Sequence, residues 1–345
     1  MAKFPEKKPG QNTIEPGKGR TKLIFFVFGV LLFFVAISVP LTFIVINTRQ
    51  QIAAQYTPVA LDSGEGSEAL PGKYPGKIVY SNAKAEIILL NPDGTGKQKF
   101  ADGRSPLFSP DGQRIAYLAA GGQTAQRGST AVAQVAIRSQ KLDGTDSQDY
   151  CMADGSSQLE LLNWSPKGDY IVMRSNATAL FLCQVATHTL TPVKTAVGDA
   201  MLLYDWTPDQ RQGLWEANSH DFNLYFGEPD KAASVVKLTN SQDRYAQGTP
   251  PLYFSARISP DGKSVAVAGA SVFFLSVPGQ KSPFEGHVFN RNSRPYRLVW
   301  SPDSRAIAVG NSTNTSITII DLPTGNLSRI VRDAEQFVSL DWSRQ

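Results

Sequence analysis

Five copies of one short motif constrain the fold of this chain more than any other feature of its sequence. Each copy is an apolar segment that often ends in Trp, a four-residue turn of the Ser-Pro-Asp-Gly type, and an alternating apolar segment. The turns begin 56, 42, 52 and 42 residues apart. Such spacing is typical of repeated four-stranded sheets, which need about 40–45 residues each. The opening residues of the turns are Ser109, Ser165, Thr207, Ser259 and Ser301.

Each turn position has a physical reason for its residue type. Pro presets φ for a tight turn, Asp bonds its own downstream backbone, and Gly permits a positive φ. Three copies depart from this pattern, because Lys167 and Gln210 replace favoured turn residues and Ser304 stands at a Gly position. We expect looser turns at these three places.

A sixth copy is split between the two ends of the repeat region. Ser343 lies 42 residues after Ser301, and Trp342 takes the Trp position, but the turn is then incomplete. The segment from Tyr74 supplies a Pro-Gly remnant and three further strands. Pairing of these halves would close a ring and remove the exposed sheet edges. The sequence thus predicts an all-β fold, a six-bladed β-propeller of four-stranded antiparallel blades, closed by a split blade and preceded by one transmembrane helix.

The repeat consists of a Ser-Pro-Asp-Gly turn after Trp and a following strand of the form Ile-Ala-Tyr or Val-Ala-Val. It resembles the repeat of TolB-like propellers, which is similar to the WD repeat. It also resembles the repeat in the N-terminal propellers of prolyl oligopeptidases. The resemblance covers roughly residues 74–345. Members of these families include periplasmic binding proteins and propellers attached to hydrolases. The resemblance therefore implies recognition of a partner through loops or through the central channel, and it leaves the partner open.

Residues 23–46 form an uncharged apolar run of 24 residues, long enough to span a bilayer. A cleaved signal peptide is the alternative, but its apolar core is shorter and ends in a small-residue cleavage site. Six basic residues precede the run and only Arg49 closely follows it, which predicts a cytoplasmic N-terminus. We expect a disordered cytoplasmic tail over 1–22, a transmembrane helix over 23–46, a flexible linker over 47–75, and a propeller over 76–345. This places a single-pass protein in the plasma (inner) membrane with a periplasmic or extracellular propeller.

The net charge of +4 belongs to the N-terminal tail. Residues 1–49 hold seven basic and two acidic groups, which leaves 27 basic and 28 acidic groups for the rest. A nearly neutral body argues against binding to nucleic acid, which requires a basic footprint.

A search for catalytic chemistry finds no established signature. An anchor followed by a propeller resembles the membrane dipeptidyl peptidases, but no Gly-x-Ser-x-Gly elbow is present. The three histidines, His188, His220 and His287, lack metal-ligand spacing, so we expect neither a metal nor another cofactor. The favoured function is recognition of a protein or peptide partner at the cell envelope. The alternative is a cryptic hydrolase or lyase in the channel, and three or more converging polar side chains there would favour it.

The predicted binding face is the one opposite the uniform turns, where irregular loops gather over 120–130, 239–252 and 283–295. Two of these loops combine Arg with aromatic residues, the types most often energetic at protein interfaces. An acidic or extended peptide would fit them, although the arginines could equally be solvated or paired with Asp243 and Glu285. The predicted partner-binding residues are Arg244, Tyr245, Phe289, Arg291, Arg294, Tyr296 and Arg297.

Cys151 and Cys183 are the two cysteines of the chain. In the predicted topology they face a compartment that permits disulfides. We expect Cys151 at the end of an outer strand and Cys183 in the third strand of the next blade. Either a disulfide or two separate buried thiols is compatible with that placement.

Overall fold

The computed structural model describes the chain from residue 58 onward in segments. These are residues 58–60, 74–119, 123–127, 130–155, 158–175, 179–193, 201–217, 223–228, 231, 234–239, 255–269, 271–285, 288–290, 295–311, 316–331 and 337–344. Strands and turns make up nearly all of these residues. Within them, no helix combines the length and apolar character needed to cross a bilayer, and the predicted span over 23–46 lies outside them.

The repeat expected from the sequence appears as short strands joined by turns. In chain order the strands are β1 Pro58–Ala60, β2 Ile78–Asn82, β3 Glu86–Leu90, β4 Gln98–Phe108, β5 Arg114–Ala119, β6 Gln123–Arg127, β7 Thr130–Lys141, β8 Gln148–Asp154, β9 Leu159–Trp164, β10 Tyr170–Ser175, β11 Ala179–Gln184, β12 Thr189–Pro192, β13 Met201–Trp206, β14 Gly213–Ala217, β15 Leu224–Gly227, β16 Val236–Lys237, β17 Ser255–Ile258, β18 Ser264–Ala268, β19 Ser271–Ser276, β20 Val288–Asn290, β21 Pro295–Trp300, β22 Ala306–Asn311, β23 Ser316–Asp321, β24 Leu327–Val331 and β25 Phe337–Trp342.

Antiparallel pairing of consecutive strands builds the sheets. The orders β9 to β12, β13 to β16, β17 to β20 and β21 to β24 each form one up-and-down sheet. A larger sheet contains β25, β2, β3, β4, β5 and β7, with β6 and β8 paired to β7. The long strand β4 joins its two halves, since residues 98–102 pair with β3 and residues 103–108 pair with β5.

Strand β25 pairs with β2 and so joins the two ends of the domain. The register places Ile78 opposite Trp342 and Tyr80 opposite Leu340. The split arrangement inferred from the sequence is confirmed, because the last strand completes the sheet that β2 and β3 begin. A paired edge is protected from pairing with another chain.

The core lies between neighbouring sheets. Ile78 and Leu340 pack against Val299 and Ile317 of the sheet β21 to β24, and all four side chains are less than 5% exposed. Such burial contributes about 25 cal/mol per Å² of apolar surface. The recurrence of Trp before the turns predicts packing between blades for Trp164, Trp206 and Trp300. Trp164 and Trp300 are buried, as is Trp342, whereas Trp206 is half-buried.

The expectation of looser turns at departures from the motif is wrong for Gln210 and Ser304. Both adopt positive φ, 60° and 58°, close to the 67° of Gly112 at the equivalent position. Their backbone N–H groups donate to the first turn residue at 2.8 and 3.0 Å, as that of Gly112 does at 2.8 Å. The surrounding strands therefore impose the left-handed conformation on side chains that disfavour it.

Part of the predicted flexible linker is a strand. Strand β1 pairs in parallel with β20, with Val59 opposite Phe289. The remaining residues between 47 and 73 lie outside the described residues, as does the predicted tail.

Candidate functional site

A narrow cavity opens where the first strands of the sheets reach their turns. Six strands, β4, β9, β13, β17, β21 and β25, contact one another in a closed ring. The cavity has a volume of about 60 Å³, room for a few water molecules. Each strand contributes the residue that stands two positions before the opening Ser or Thr of its turn. These residues, here called the axial residues, are Leu107, Asn163, Asp205, Arg257, Val299 and Asp341.

The two axial carboxylates join neighbouring strands of the ring. Asp205 Oδ2 accepts a hydrogen bond from the backbone N–H of Ile258 at 3.0 Å, and its Oδ1 accepts from the N–H of Trp206 at 2.9 Å. Asp341 Oδ2 accepts from the N–H of Phe108 at 2.8 Å. In both cases the donor is the residue just before the turn of the adjacent sheet. These carboxylates hold the ring together and compensate part of the cost of their own burial.

Arg257 and Asn163 bind backbone carbonyl groups within the same ring. The Arg257 guanidinium donates to Leu162 O at 2.6 Å and to Tyr204 O. Asn163 Nδ2 donates to Tyr204 O at 3.1 Å. Asn163 Oδ1 and Trp206 Nε1, by contrast, are buried and have no hydrogen-bond partner among the described residues. The cavity wall thus contains one acceptor and one donor that nothing described satisfies.

Arg344 lies at the opening of the cavity. Its Nη2 is 3.7 Å from Asp205 Oδ1, and its side chain is 38% exposed while that of Asp205 is 5% exposed. Burial raises the pKa of Asp341 to about 6, although the Phe108 N–H and the charges of Arg257 and Arg344 oppose the shift. The site therefore combines two cations, two carboxylates and an amide in a small volume.

A second polar cluster lies earlier along the first strands. Glu160 on β9 binds Arg174 on β10 and Arg297 on β21, and all three side chains are less than a quarter exposed. Burial lowers the pKa of Arg297 to about 10. This ion cluster connects two strands that are not neighbours in the ring, so it acts as a brace within the domain.

Comparison of the whole fold with known proteins gives its class. A scan against protein-family models finds no match, and a sequence search of curated proteins finds none. Among solved structures, TolB from Acinetobacter baumannii has a TM-score of 0.58 at 16% identity, over 79% of this chain and 68% of that one. A putative TolB from Agrobacterium tumefaciens has a TM-score of 0.50 at 12% identity, over 77% and 97%. A chain of a nidogen/laminin complex has a TM-score of 0.57 at 9% identity, and the match covers 79% of this chain and 100% of that one.

The domain has a TolB-like β-propeller fold. The resemblance inferred from the turns is thereby confirmed for the fold. Each up-and-down sheet is a blade, and the axial residues line the propeller channel at the end where the Ser-Pro-Asp-Gly turns lie.

Of the seven predicted partner-binding residues, the structure describes three. Arg297 is buried in the ion cluster with Glu160 and not exposed on a loop, because its strand runs along the channel. Phe289 lies in β20 and Tyr296 in β21, and only their backbone is described. Four others lie outside the described residues, namely Arg244, Tyr245, Arg291 and Arg294.

The predicted irregular loop over 120–130 is partly regular structure. Strand β6 pairs with β7 from Gln123 opposite Gln134 to Arg127 opposite Thr130. This hairpin extends the blade beyond its neighbours. Of the predicted loop 239–252 only Thr239 is described, whereas 283–295 is described at 283–285, 288–290 and 295, where Val288–Asn290 forms β20.

A disulfide joins two adjacent blades of the propeller. Cys151 on β8, the outer strand of one blade, is bonded to Cys183 on β11, with 6.0 Å between the Cα atoms. Tyr150 and Trp164 pack edge to face beside it, with ring centroids 6.0 Å apart. The bond connects the outer edge of one blade to the third strand of the next.

Of the three histidines, the structure describes His188. The ring of His188 lies 5.6 Å from that of Tyr150, and His220 and His287 lie outside the described residues. Within the residues described, three or more metal-binding side chains do not come together in one place.

Sequence reasoning missed the channel residues Asn163, Asp205, Arg257 and Asp341. The signal was present, since each occupies the same position of the repeated motif. In a regular propeller that position faces the axis in every blade. Polar residues there are informative because the remaining members of the set, Leu107 and Val299, are apolar.

Proposed function

We propose that this chain is a membrane-tethered, extracytoplasmic binding protein whose propeller recognises a protein or peptide partner at the cell envelope. The observation that carries the proposal is the channel mouth, a cavity on the closed ring of strands, where Asn163 Oδ1 and Trp206 Nε1 have no hydrogen-bond partner among the described residues. A few polar groups set in a largely apolar wall are typical of specific binding sites.

The proposed architecture has six blades. Six first strands contact in a ring, and six turns of the repeated type, one of them split, stand at its end. We assign residues 76–345 to this propeller, residues 1–22 to a cytoplasmic tail and residues 47–75 to a linker.

The proposed location rests on two independent features. The apolar run over 23–46 has its basic residues on the N-terminal side, which favours export of everything that follows. The disulfide between Cys151 and Cys183 is of the kind that persists in oxidising compartments. Both support an inner-membrane protein with its propeller outside.

The partner surface centres on the turn face, where Trp206, Pro208 and Pro260 surround the cavity. These rigid side chains offer apolar contact at low entropic cost, and the cavity offers specificity. The loop rim with Arg244, Tyr245, Arg291 and Arg294 remains a second proposed contact region on the opposite face.

The alternative of a channel hydrolase or lyase has two observations in its favour. Several polar side chains converge in the channel, and the pKa of Asp341 is raised to about 6, near the range useful for acid–base catalysis. However, Asp341 and Asp205 both accept backbone hydrogen bonds between blades. Because both carboxylates hold neighbouring blades together, we assign them a structural role and prefer binding to catalysis as the function of the channel.

Affinity purification of the full chain from membranes tests the proposed function. Trp206→Leu changes the mouth, and Lys167→Ser changes an exposed turn residue of the same face that does not line the cavity. We expect the partner to be recovered with the parent chain and with Lys167→Ser, and to be lost with Trp206→Leu under conditions in which melting curves show that all three chains are folded. Equal recovery with both variants would place the partner surface elsewhere.

A further inference from the structure

We propose that the channel mouth binds a basic side chain, Arg or Lys, of the partner, and that Arg344 occupies this site in its absence. The inference rests on the proposed function, since it names the chemistry by which the same surface recognises its partner. It depends on which donors and acceptors of the cavity already form hydrogen bonds within the protein.

The cavity wall offers acceptors to an incoming group. Asn163 is 4% exposed and lines the cavity, and its Oδ1 has no hydrogen-bond partner among the described residues. Among the described residues, Asp205 Oδ1 accepts one hydrogen bond, from the N–H of Trp206 at 2.9 Å, and carboxylate oxygens have room for a second donor. A group with several N–H donors and a positive charge suits both acceptors.

Arg257, the other cation of the cavity wall, forms its hydrogen bonds with the strands of the ring. Arg257 donates to Leu162 O and Tyr204 O, so its guanidinium neutralises the channel without being offered to a ligand. Trp206 adds an aromatic ring at the opening, a surface that attracts cations. An anionic ligand would instead approach the buried carboxylates of Asp205 and Asp341 at short range, which is unfavourable.

Arg344 shows how such a ligand would be held. Its guanidinium is 3.7 Å from Asp205 Oδ1, beyond the distance of a close ion pair, and its side chain remains 38% exposed. A loosely held resident group of the same chemistry blocks a site and can be displaced by a better placed one. The cavity has room for a few water molecules, which an incoming group would displace.

The test uses the full chain in detergent micelles, labelled with 5-fluorotryptophan, and N-acetyl-arginine amide as the probe. The chain has five Trp residues. Trp215 does not line the cavity and serves as the internal reference, whereas Trp164, Trp300 and Trp342 line the cavity together with Trp206. The fluorine resonance of Trp206, assigned with Trp206→Phe, reports on the cavity.

Arg344→Ala should bind the probe more tightly than the parent chain, because a resident group weakens apparent affinity according to the fraction of time that it fills the site; an occupancy of about nine-tenths corresponds to about tenfold. Arg344→Lys keeps a cation at the mouth and should behave like the parent chain. Adding Asn163→Leu to Arg344→Ala should weaken binding about tenfold, with the melting temperature measured alongside. N-acetyl-citrulline amide, which has nearly the same shape without the charge, should leave the Trp206 resonance in place.

The inference is overturned if the parent chain and Arg344→Ala bind the probe equally, if neither binds it, or if the citrulline probe binds as well. The inference is also overturned if N-acetyl-glutamate amide binds more tightly than N-acetyl-arginine amide. Partner recovery from membranes is a separate measurement, so the proposed function can stand where this inference fails.

Discussion

Ser343 Oγ accepts a hydrogen bond from the backbone N–H of Lys77 at 2.8 Å, and the Ser343 N–H donates to Lys77 O at 2.9 Å. Ser109 and Arg114 form the same two bonds, each at 2.9 Å, within an uninterrupted turn. The domain therefore rebuilds one copy of its repeated turn from two segments that lie 266 residues apart. Closure depends on side-chain chemistry at the junction as well as on strand pairing.

Replacing Ser343 by Ala should destabilise the domain by about 1–2 kcal/mol, because the N–H of Lys77 loses its acceptor. Chemical denaturation followed by Trp fluorescence measures the free energy of unfolding. Ser109→Ala is the matched control within a continuous turn and should cost a similar amount. Deletion of residues 337–345 should be far more harmful, since it removes all of β25 and exposes the edge of β2. A deletion variant as heat-stable as the parent would contradict the closure.

Ser304 has a side-chain role that explains why a strained position lacks Gly. Its Oγ accepts the backbone N–H of Asp261 in the neighbouring turn at 3.0 Å, just as Gln210 Oε1 accepts that of Lys167 at 3.0 Å. Ser304→Ala keeps the positive φ and loses the bond, so we expect a loss of about 1 kcal/mol. Ser304→Gly loses the bond but relieves the strain, and its unfolding free energy should stay within about 0.5 kcal/mol of the parent. Equal effects of the two variants would argue against the strain.

The disulfide should be detectable by alkylation of the denatured, unreduced protein, which should show no free thiol at Cys151 or Cys183. It closes a loop of 32 residues, for which the chain-entropy model gives about 3–4 kcal/mol of stabilisation. Reduction should lower the melting temperature of the parent. The double variant Cys151→Ser and Cys183→Ser should melt at the lower temperature with or without reductant. Two alkylated thiols in the unreduced chain would rule out the bond.

Asp341 should make stability depend on pH in an unusual direction. Its pKa is raised from 3.8 to about 6 in the folded state, so between these values the folded state binds more protons than the unfolded state. The stability that this group contributes is fully present below about pH 4 and is lost as pH rises through about 6, a change of about 3 kcal/mol. Other carboxyls such as Asp111 and Asp149 have lowered pKa values and act in the opposite sense. The difference between the parent and Asp341→Asn isolates the effect, and a difference that does not vary with pH would refute it.

Protease added to intact spheroplasts should digest or release the region that follows Arg49 and spare the N-terminal tail, because the basic flank keeps that tail in the cytoplasm. An epitope at the N-terminus and antibodies to the propeller separate the two products. Protection of the propeller until lysis would reverse the proposed topology.

The sequence by itself determined the repeat, the β class and the closing strand. These properties are local, since Pro, Asp and Gly act within one turn, and the position of Ser343 follows from spacing alone. The same reasoning identified Trp164, Trp206 and Trp300 as packing residues, because the large aromatic recurs at one place in the motif, and two of them, Trp164 and Trp300, are buried.

Only the tertiary structure decided which polar side chains meet. Arg297 was expected on an exposed rim, and it is buried against Glu160, 137 positions earlier in the chain. Asn163, Asp205, Arg257 and Asp341 come from four strands and share one cavity because the ring brings equivalent positions to its axis. Spacing along the chain specifies a strand and its turn, whereas a contact across the channel depends on the closure, twist and tilt of the whole ring, to which every blade contributes.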